Sequence, residues 1–219
     1  MAKQVRSEVT RAAIVRGAAE AFDRFGYGAT SLSDVIALAG VTKGALYFHF
    51  SSKQELAQAV IRQQHAWSVG PAVQQLEGNA PGLETVIQLS HRLAGQLQND
   101  PIVRAGIRLT METGTFDAAM PDPYQEWIDA TTGLLQRAAE AGELRPNVRP
   151  EMVARFACGA FTGVQVLSQV LTGRADLRER VQEMWELLLP GLVPERKLPY
   201  YRRIARGATD PEETVTPQA

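Results

Sequence analysis

The sequence predicts an all-α fold, and three observations carry that expectation. Apolar residues recur at helical spacing along most of the 219 residues, with no strand-like alternation and no internal repeat. Capping residues and prolines punctuate the chain at Asp100-Pro101, Pro121-Asp122-Pro123 and Asn147 to Pro150, the pattern of helix starts. Gly40, Gly142 and Gly173 stand where apolar periods end, as helix stops do. A hydrophobic fraction of 45% is ordinary for a globular chain, and this length buries one sizeable core or two smaller ones.

Taken in chain order, Ile14, Ala18, Phe22 and Phe25 form the buried stripe of a first helix, ended by Gly26 and Gly28. A second helix starts at Ser31, where Asp34 three residues on supplies the other half of a capping box. Leu32, Val35, Ile36 and Ala39 make its apolar face, Gly40 closes it in the left-handed conformation, and Val41 pins the turn. Thr42 caps a third helix whose inward anchor is Leu46. Two short helices around a tight glycine turn are a helix-turn-helix, a device for reading DNA.

The outward chemistry of this unit agrees. The free amides after Thr42 suit a phosphate oxygen, and Lys43 stands beside them as a mobile cation. Gly44 and Ala45 carry so little side chain that their backbone could approach base edges or thymine methyl groups. Tyr47, Phe48, His49 and Phe50 are too many aromatics for a short helix to bury, so Tyr47 and His49 are assigned to phosphates. Ser52 and Glu55 repeat the capping box, and Lys53, badly placed for the helix dipole, points to an external anion. Ser33 and Arg6 complete the candidate DNA contacts. The bland alternative for His49 is an exposed polar residue; Thr42, Lys43, Tyr47 and Lys53 around it raise the nucleic-acid reading. Charge is unevenly spread: residues 1–55 hold seven Lys or Arg against five Asp or Glu, the remainder 16 against 19, for a net −1. Local placement of cations must therefore supply the phosphate contacts.

A long helix from Ser52 to about Trp67 follows, broken at Gly70-Pro71. Thr113 to Met120 has no clear period and reads as a loop, and the polar tail after Gly207 as frayed. The helix from about Pro150 to Leu171 carries Phe156, Gly159, Ala160, Gly163, Val166 and Val170, and the small residues at that spacing let another helix approach closely. Val181, Met184, Trp185, Leu187 and Leu188 follow on the next helix. These faces either form a four-helix homodimer interface or fill the subunit's own core.

Other classes find little support. His49, His65 and His91 stand too far apart for a helical metal pair, no cysteine cluster joins them, and no phosphate loop, dinucleotide motif or nucleophile elbow is present. The reading is therefore not an enzyme, with no metal and no cofactor. The single Cys158 indicates a reducing compartment, and its ordinary role is a small buried hydrophobe. The opening residues lack a secretory core, and Arg155, Gln165 and Gln169 interrupt the most apolar stretch, so a cytoplasmic protein without a membrane span is expected.

Thr42 to Lys53, TKGALYFHFSSK, resembles the recognition-helix signature of TetR-family repressors, and Arg11 to Ile61 matches that family's N-terminal domain. Within the family, MAKQVRSEVTRAAI, VTKGALYFHF and Trp127 in YQEWIDA are similar to receptors for γ-butyrolactone autoregulators. The resemblance implies a three-helix DNA-binding domain over residues 1–52, a ligand-binding and dimerisation domain over 53–207 and a flexible tail over 208–219. It also implies a homodimer on a double-stranded, inverted-repeat operator, released by a small hydrophobic effector. A regulator answering an antibiotic or biosynthetic intermediate, or no ligand, is the alternative. A tryptophan matching Trp127 lines the ligand cavity of autoregulator receptors, whereas a lone Trp on an amphipathic helix is otherwise more often core. Phe161, Thr162, Gln165 and Gln64 are candidates for further wall and hydrogen bonds, Thr162 and Gln165 being one turn apart.

Overall fold

Gly26 sets where the first helix turns: its φ of 76° and ψ of 169° break α1 (Ala2–Ala29) before its last residues. The computed structural model describes residues 2–68, 70, 81–112 and 123–207, and among these every regular element is helical. The chain divides into two compact units, one of residues 1–70 and 96–123, the other of 71–95 and 124–219.

In the first unit, α1 packs against α2 (Leu32–Ala39), α4 (Lys53–Ser68) and α6 (Pro101–Met111), with α3 (Lys43–His49) beside it. One cluster unites them: Ile14, Ala18 and Phe22 of α1 meet Val35, Leu46, Leu56, Val60, Ile61, Ile102 and Leu109, all buried. Gly17 allows α1 and α2 to approach closely, because a Cβ there would stand 2.6 Å from the backbone nitrogen of Ala39. Phe25 departs from the expected stripe and is 50% exposed. The chain turns away at Gly26, and Tyr27 instead lays its ring 5.8 Å from that of Phe22. The sequence-based boundary after residue 52 also differs from this packing, since α4 and α6 bury their apolar faces in the same cluster as α1.

The second unit contains most of α5 (Gly82–Asn99), then α7 (Pro123–Glu140), α8 (Pro150–Thr172), α9 (Leu177–Leu192), a 3-10 turn at Glu195–Lys197 and α10 (Leu198–Ala205). No local signal in the sequence marks the start of α5, and the reason is physical. Its orphan amides at Gly82 and Leu83 are capped by the buried carboxylate of Glu143, 3.3 and 3.1 Å away and some sixty residues on in sequence. The same carboxylate accepts the Tyr201 hydroxyl at 2.8 Å, fastening α10 as well. Asp100 caps α6 as expected, accepting from the Ile102 amide at 2.8 Å. Asn147 does not cap α8: its N-cap residue is Arg149, with no side-chain bond. Gly173 closes α8 at φ 61°, and Arg174 after it is also left-handed at φ 71°. Asp176 holds that turn, accepting from Ser168, Thr172 and Arg180 at 2.6 to 2.8 Å. The readings of Thr113 to Met120, of Pro71, of Pro121-Asp122 and of the tail over 208–219 fall outside the described residues.

Candidate nucleic-acid interface and ligand cavity

Local hydrogen bonds build the reading head as its residue types dictate. The Ser31 hydroxyl accepts the Asp34 amide at 3.2 Å while the Asp34 carboxylate accepts the Ser31 amide at 2.9 Å, closing the capping box. Bonds from Ser31 also hold the Asp34 carboxyl below its ordinary range. Gly40 is left-handed at φ 63° and ψ 31°, and the Val41 amide reaches back to the Ile36 carbonyl at 3.3 Å. The Thr42 hydroxyl then accepts the Ala45 amide at 3.2 Å, starting α3.

Leu46 and Phe50 point inward and are buried, so the rest of α3 turns outward. Thr42, Lys43 and Gly44 are exposed, Ala45 is half-buried, and Tyr47 is 49% exposed with the Lys43 ammonium 5.9 Å from its ring centre. His49 is half-buried and meets Phe48 edge-on, ring centres 5.0 Å apart. Phe48 itself is 80% exposed, a position the reading of the sequence left without a role. Ser33 and Arg6 also stand in solvent.

Lys53 does not present the free cation that its position suggested. Its ammonium donates to the carbonyls of Tyr27, Gly28 and Thr30 at 2.8, 3.3 and 2.9 Å and lies 4.5 Å from the Tyr27 ring centre. These carbonyls end α1, so the negative end of a neighbouring helix already attracts this cation. The repeated capping box is also only half as expected: Ser52 accepts the Glu55 amide, but Glu55 turns to the amide and hydroxyl of Ser51.

From α6, Arg108 donates to the Phe22 and Asp23 carbonyls at 3.4 and 2.9 Å, and Arg104 to the Asp23 carboxylate at 2.7 Å. The last turn of α1 is thus clasped by cations from α4 and α6, which stiffens the base on which α2 and α3 stand.

The second unit holds a partly open cavity of about 30 Å³, room for one or two water molecules. Its walls come from α5 (Val86, Leu89, Ser90), α7 (Trp127, Thr131, Leu134), α8 (Ala157, Cys158, Phe161) and α9 (Met184, Trp185). Among the described residues no charged side chain lines it. Trp127 and Phe161 meet edge-on with ring centres 5.5 Å apart. The Ser90 hydroxyl is already committed, accepting the Trp185 indole at 2.8 Å and donating to the Ile87 carbonyl at 2.6 Å. Burial pushes the Cys158 thiol up to about 11, so it is a neutral wall.

Of the five ligand candidates, the cavity brings Trp127 and Phe161 together and leaves three outside. Gln64 is buried in the first unit, where it packs on Gly106 and donates to the Ser68 hydroxyl at 2.9 Å. Thr162 bonds back to the Cys158 carbonyl at 2.9 Å, and Gln165 is buried in α8. These three therefore do not line the cavity, because a helical face chosen by spacing alone does not reveal which neighbour covers it. Trp185 and Thr131 are among the walls that the sequence does not reveal; the apolar period around Trp185 marks burial, not a cavity.

The faces weighed for dimerisation separate. Val181, Met184 and Trp185 are buried in the chain's own second unit, while Phe156, Val166, Val170 and Leu187 are exposed by 60, 37, 74 and 83%. Among the described residues no group of His, Cys, Asp and Glu could hold a metal ion, and no helix is long and apolar enough to cross a membrane.

Two families of sequences match the chain: "Bacterial regulatory proteins, tetR family" over residues 14–60 and "Tetracyclin repressor-like, C-terminal domain" over residues 80–194. The A-factor receptor protein of Streptomyces griseus is 39% identical over 193 residues, 88% of this chain and 67% of that protein. The structure of CprB from Streptomyces coelicolor in complex with its operator superposes with a TM-score of 0.82 at 34% identity, over 92% of this chain and 97% of that one. Full-length TylP, a TetR regulator from Streptomyces fradiae, superposes at 0.71 with 42% identity, over 87% and 90%.

Proposed function

Because the chain belongs to the TetR family of bacterial regulators, we propose that it is a ligand-responsive transcriptional repressor. It binds an inverted-repeat operator as a homodimer and leaves when a small hydrophobic signal of γ-butyrolactone type enters the second unit. The observation that carries this reading is the pairing, in one chain, of a solvent-facing α3 bearing Lys43 and Tyr47 with an uncharged, aromatic-walled cavity. Similarity to the A-factor receptor supports the choice of effector class.

The DNA contacts follow from exposure. Thr42, Lys43, Gly44, Ala45, Tyr47 and His49 meet the major groove and its phosphates, with Ser33 and Arg6 on the flanking backbone. Lys53 acts by holding α1 in place. In the dimer the two copies of α3 enter successive major grooves about 34 Å apart. The exposed stripe of Phe156, Val166, Val170 and Leu187 is the surface that a second copy covers.

Release is a population shift. A cavity of about 30 Å³ does not hold an effector without parting its walls, so the ligand binds an expanded state. α5 is one of the cavity's walls, so an effector that parts them displaces this helix. Switching then requires roughly 1–3 kcal/mol of coupling.

The test uses the full chain. Sedimentation should give twice the 24.0 kDa chain mass, selection from a random duplex pool should return an inverted repeat, and A-factor should release it. A monomer, or a pool in which nothing is enriched, would defeat the repressor reading. Release by an antibiotic but not by a γ-butyrolactone would reassign the effector alone.

A further inference from the structure

We propose that Phe48 is a specificity-determining residue, and that with Gly44 one helical turn before it forms an apolar slot for the 5-methyl group of a thymine. The inference rests on the DNA-reading function proposed above.

Exposure is the first observation. Phe48 is 80% exposed although α3 already satisfies the core through Leu46 and Phe50. A phenyl ring left in water contributes nothing to this fold, and it gains by burial against a partner. The second is Gly44, which nothing inside the chain explains. Its φ is not positive, and a Cβ built on it would meet no atom within 4 Å. Alanine there would make a better helix, so the bare backbone leaves room for something outside. Residues 44 and 48 stand at i and i+4, one above the other on the same face. The third is orientation: the His49 ring meets Phe48 edge-on at 5.0 Å and 86°, an aromatic contact on one side of the phenyl group.

Charge selects the occupant. Lys43 beside the slot is an exposed cation, which fits a duplex with phosphates flanking the groove. Among the base pairs, A·T alone presents an apolar group in the major groove, the thymine methyl.

The experiment replaces each thymine of the selected operator, one at a time, by deoxyuridine, which removes only the methyl group. Fluorescence anisotropy measures affinity for the native chain, Phe48→Ala and Gly44→Ala. At one position in each half-site, the native protein should lose about fourfold in affinity, the worth of one buried methyl-sized group. Phe48→Ala should weaken the parent duplex and lose nothing further at that deoxyuridine. Gly44→Ala should weaken operator binding while its melting temperature stays level or rises, an outcome that a purely structural glycine does not give. A native chain indifferent to every deoxyuridine, or a Phe48→Ala variant as sensitive as the native chain, overturns the slot and leaves the repressor standing. A pool that enriches no sequence overturns both. Because Phe48 is exposed, its loss leaves the fold intact, and circular dichroism melting verifies this.

Discussion

The two units fill their interiors differently. In the first, a single cluster runs from Ile14 to Leu109, and the end of α1 is clasped by Lys53, Arg104 and Arg108 through short bonds to carbonyls and a carboxylate. In the second, four helices meet around an uncharged void bounded by Trp127, Phe161 and Trp185. Bonds that depend on distance and angle resist displacement, whereas walls that border a space are less constrained than side chains in a filled core. The proposed function calls for this contrast, a DNA-reading unit that keeps its shape beside an effector-binding unit that changes its own.

The largest way to break this contrast is Phe22→Ala, which empties the centre of the first core. It should cost about 3–5 kcal/mol and abolish operator binding, read by thermal melting and anisotropy. A loss under about 1 kcal/mol would mean that the first unit repacks as readily as the second.

Next comes the pair of lysines. Lys53→Met strands three carbonyls and should cost about 1–3 kcal/mol of stability together with DNA affinity. Lys43→Met should leave the melt unchanged and flatten the salt dependence of binding by about one phosphate contact per subunit. Equal behaviour of the two variants would erase the distinction between a holding and a reading cation.

Trp127→Ala sharpens the other side. Operator affinity should stay within about twofold, since DNA is read elsewhere, while release by A-factor is blunted. An unchanged release midpoint would remove Trp127 from the cavity's function.

The smallest effect lies at alkaline pH. Burial holds the Cys158 thiol at about 11 when folded against 9.0 for the free group. The unfolded chain therefore ionises first, and stability falls as pH rises from about 9 to about 11, by roughly 2 kcal/mol. Burial and the Glu143 bond raise Tyr201 as well, so the difference between native and Cys158→Ser melts isolates the thiol's share. At neutral pH that substitution should leave DNA binding untouched; identical alkaline limbs would show that the thiol is not buried in solution.

Much of the reading head was legible in the chain because its bonds close within a few residues. The Ser31–Asp34 box, the Gly40 turn and the Thr42 cap each involve partners three to five positions apart, and spacing alone exposes them. The internal partners of Lys53 were not legible for the opposite reason: its three carbonyls lie 23 to 26 positions away in sequence. Trp127 and Phe161 were found as walls, yet Gln64, Thr162 and Gln165 on equally plausible faces were not, since amphipathic spacing marks burial without saying against what.

By itself the sequence determined the all-helical class, the caps and stops of the short helices, and the outward chemistry of α3, because these depend on hydrogen bonds and periodicity that span one or two turns. Only the tertiary structure decided that Glu143 starts α5, that Lys53 braces α1, that Phe48 stands in solvent, and which side chains enclose the cavity. Those outcomes depend on contacts between segments far apart along the chain, where each residue's role is set by the neighbour that the fold brings to it.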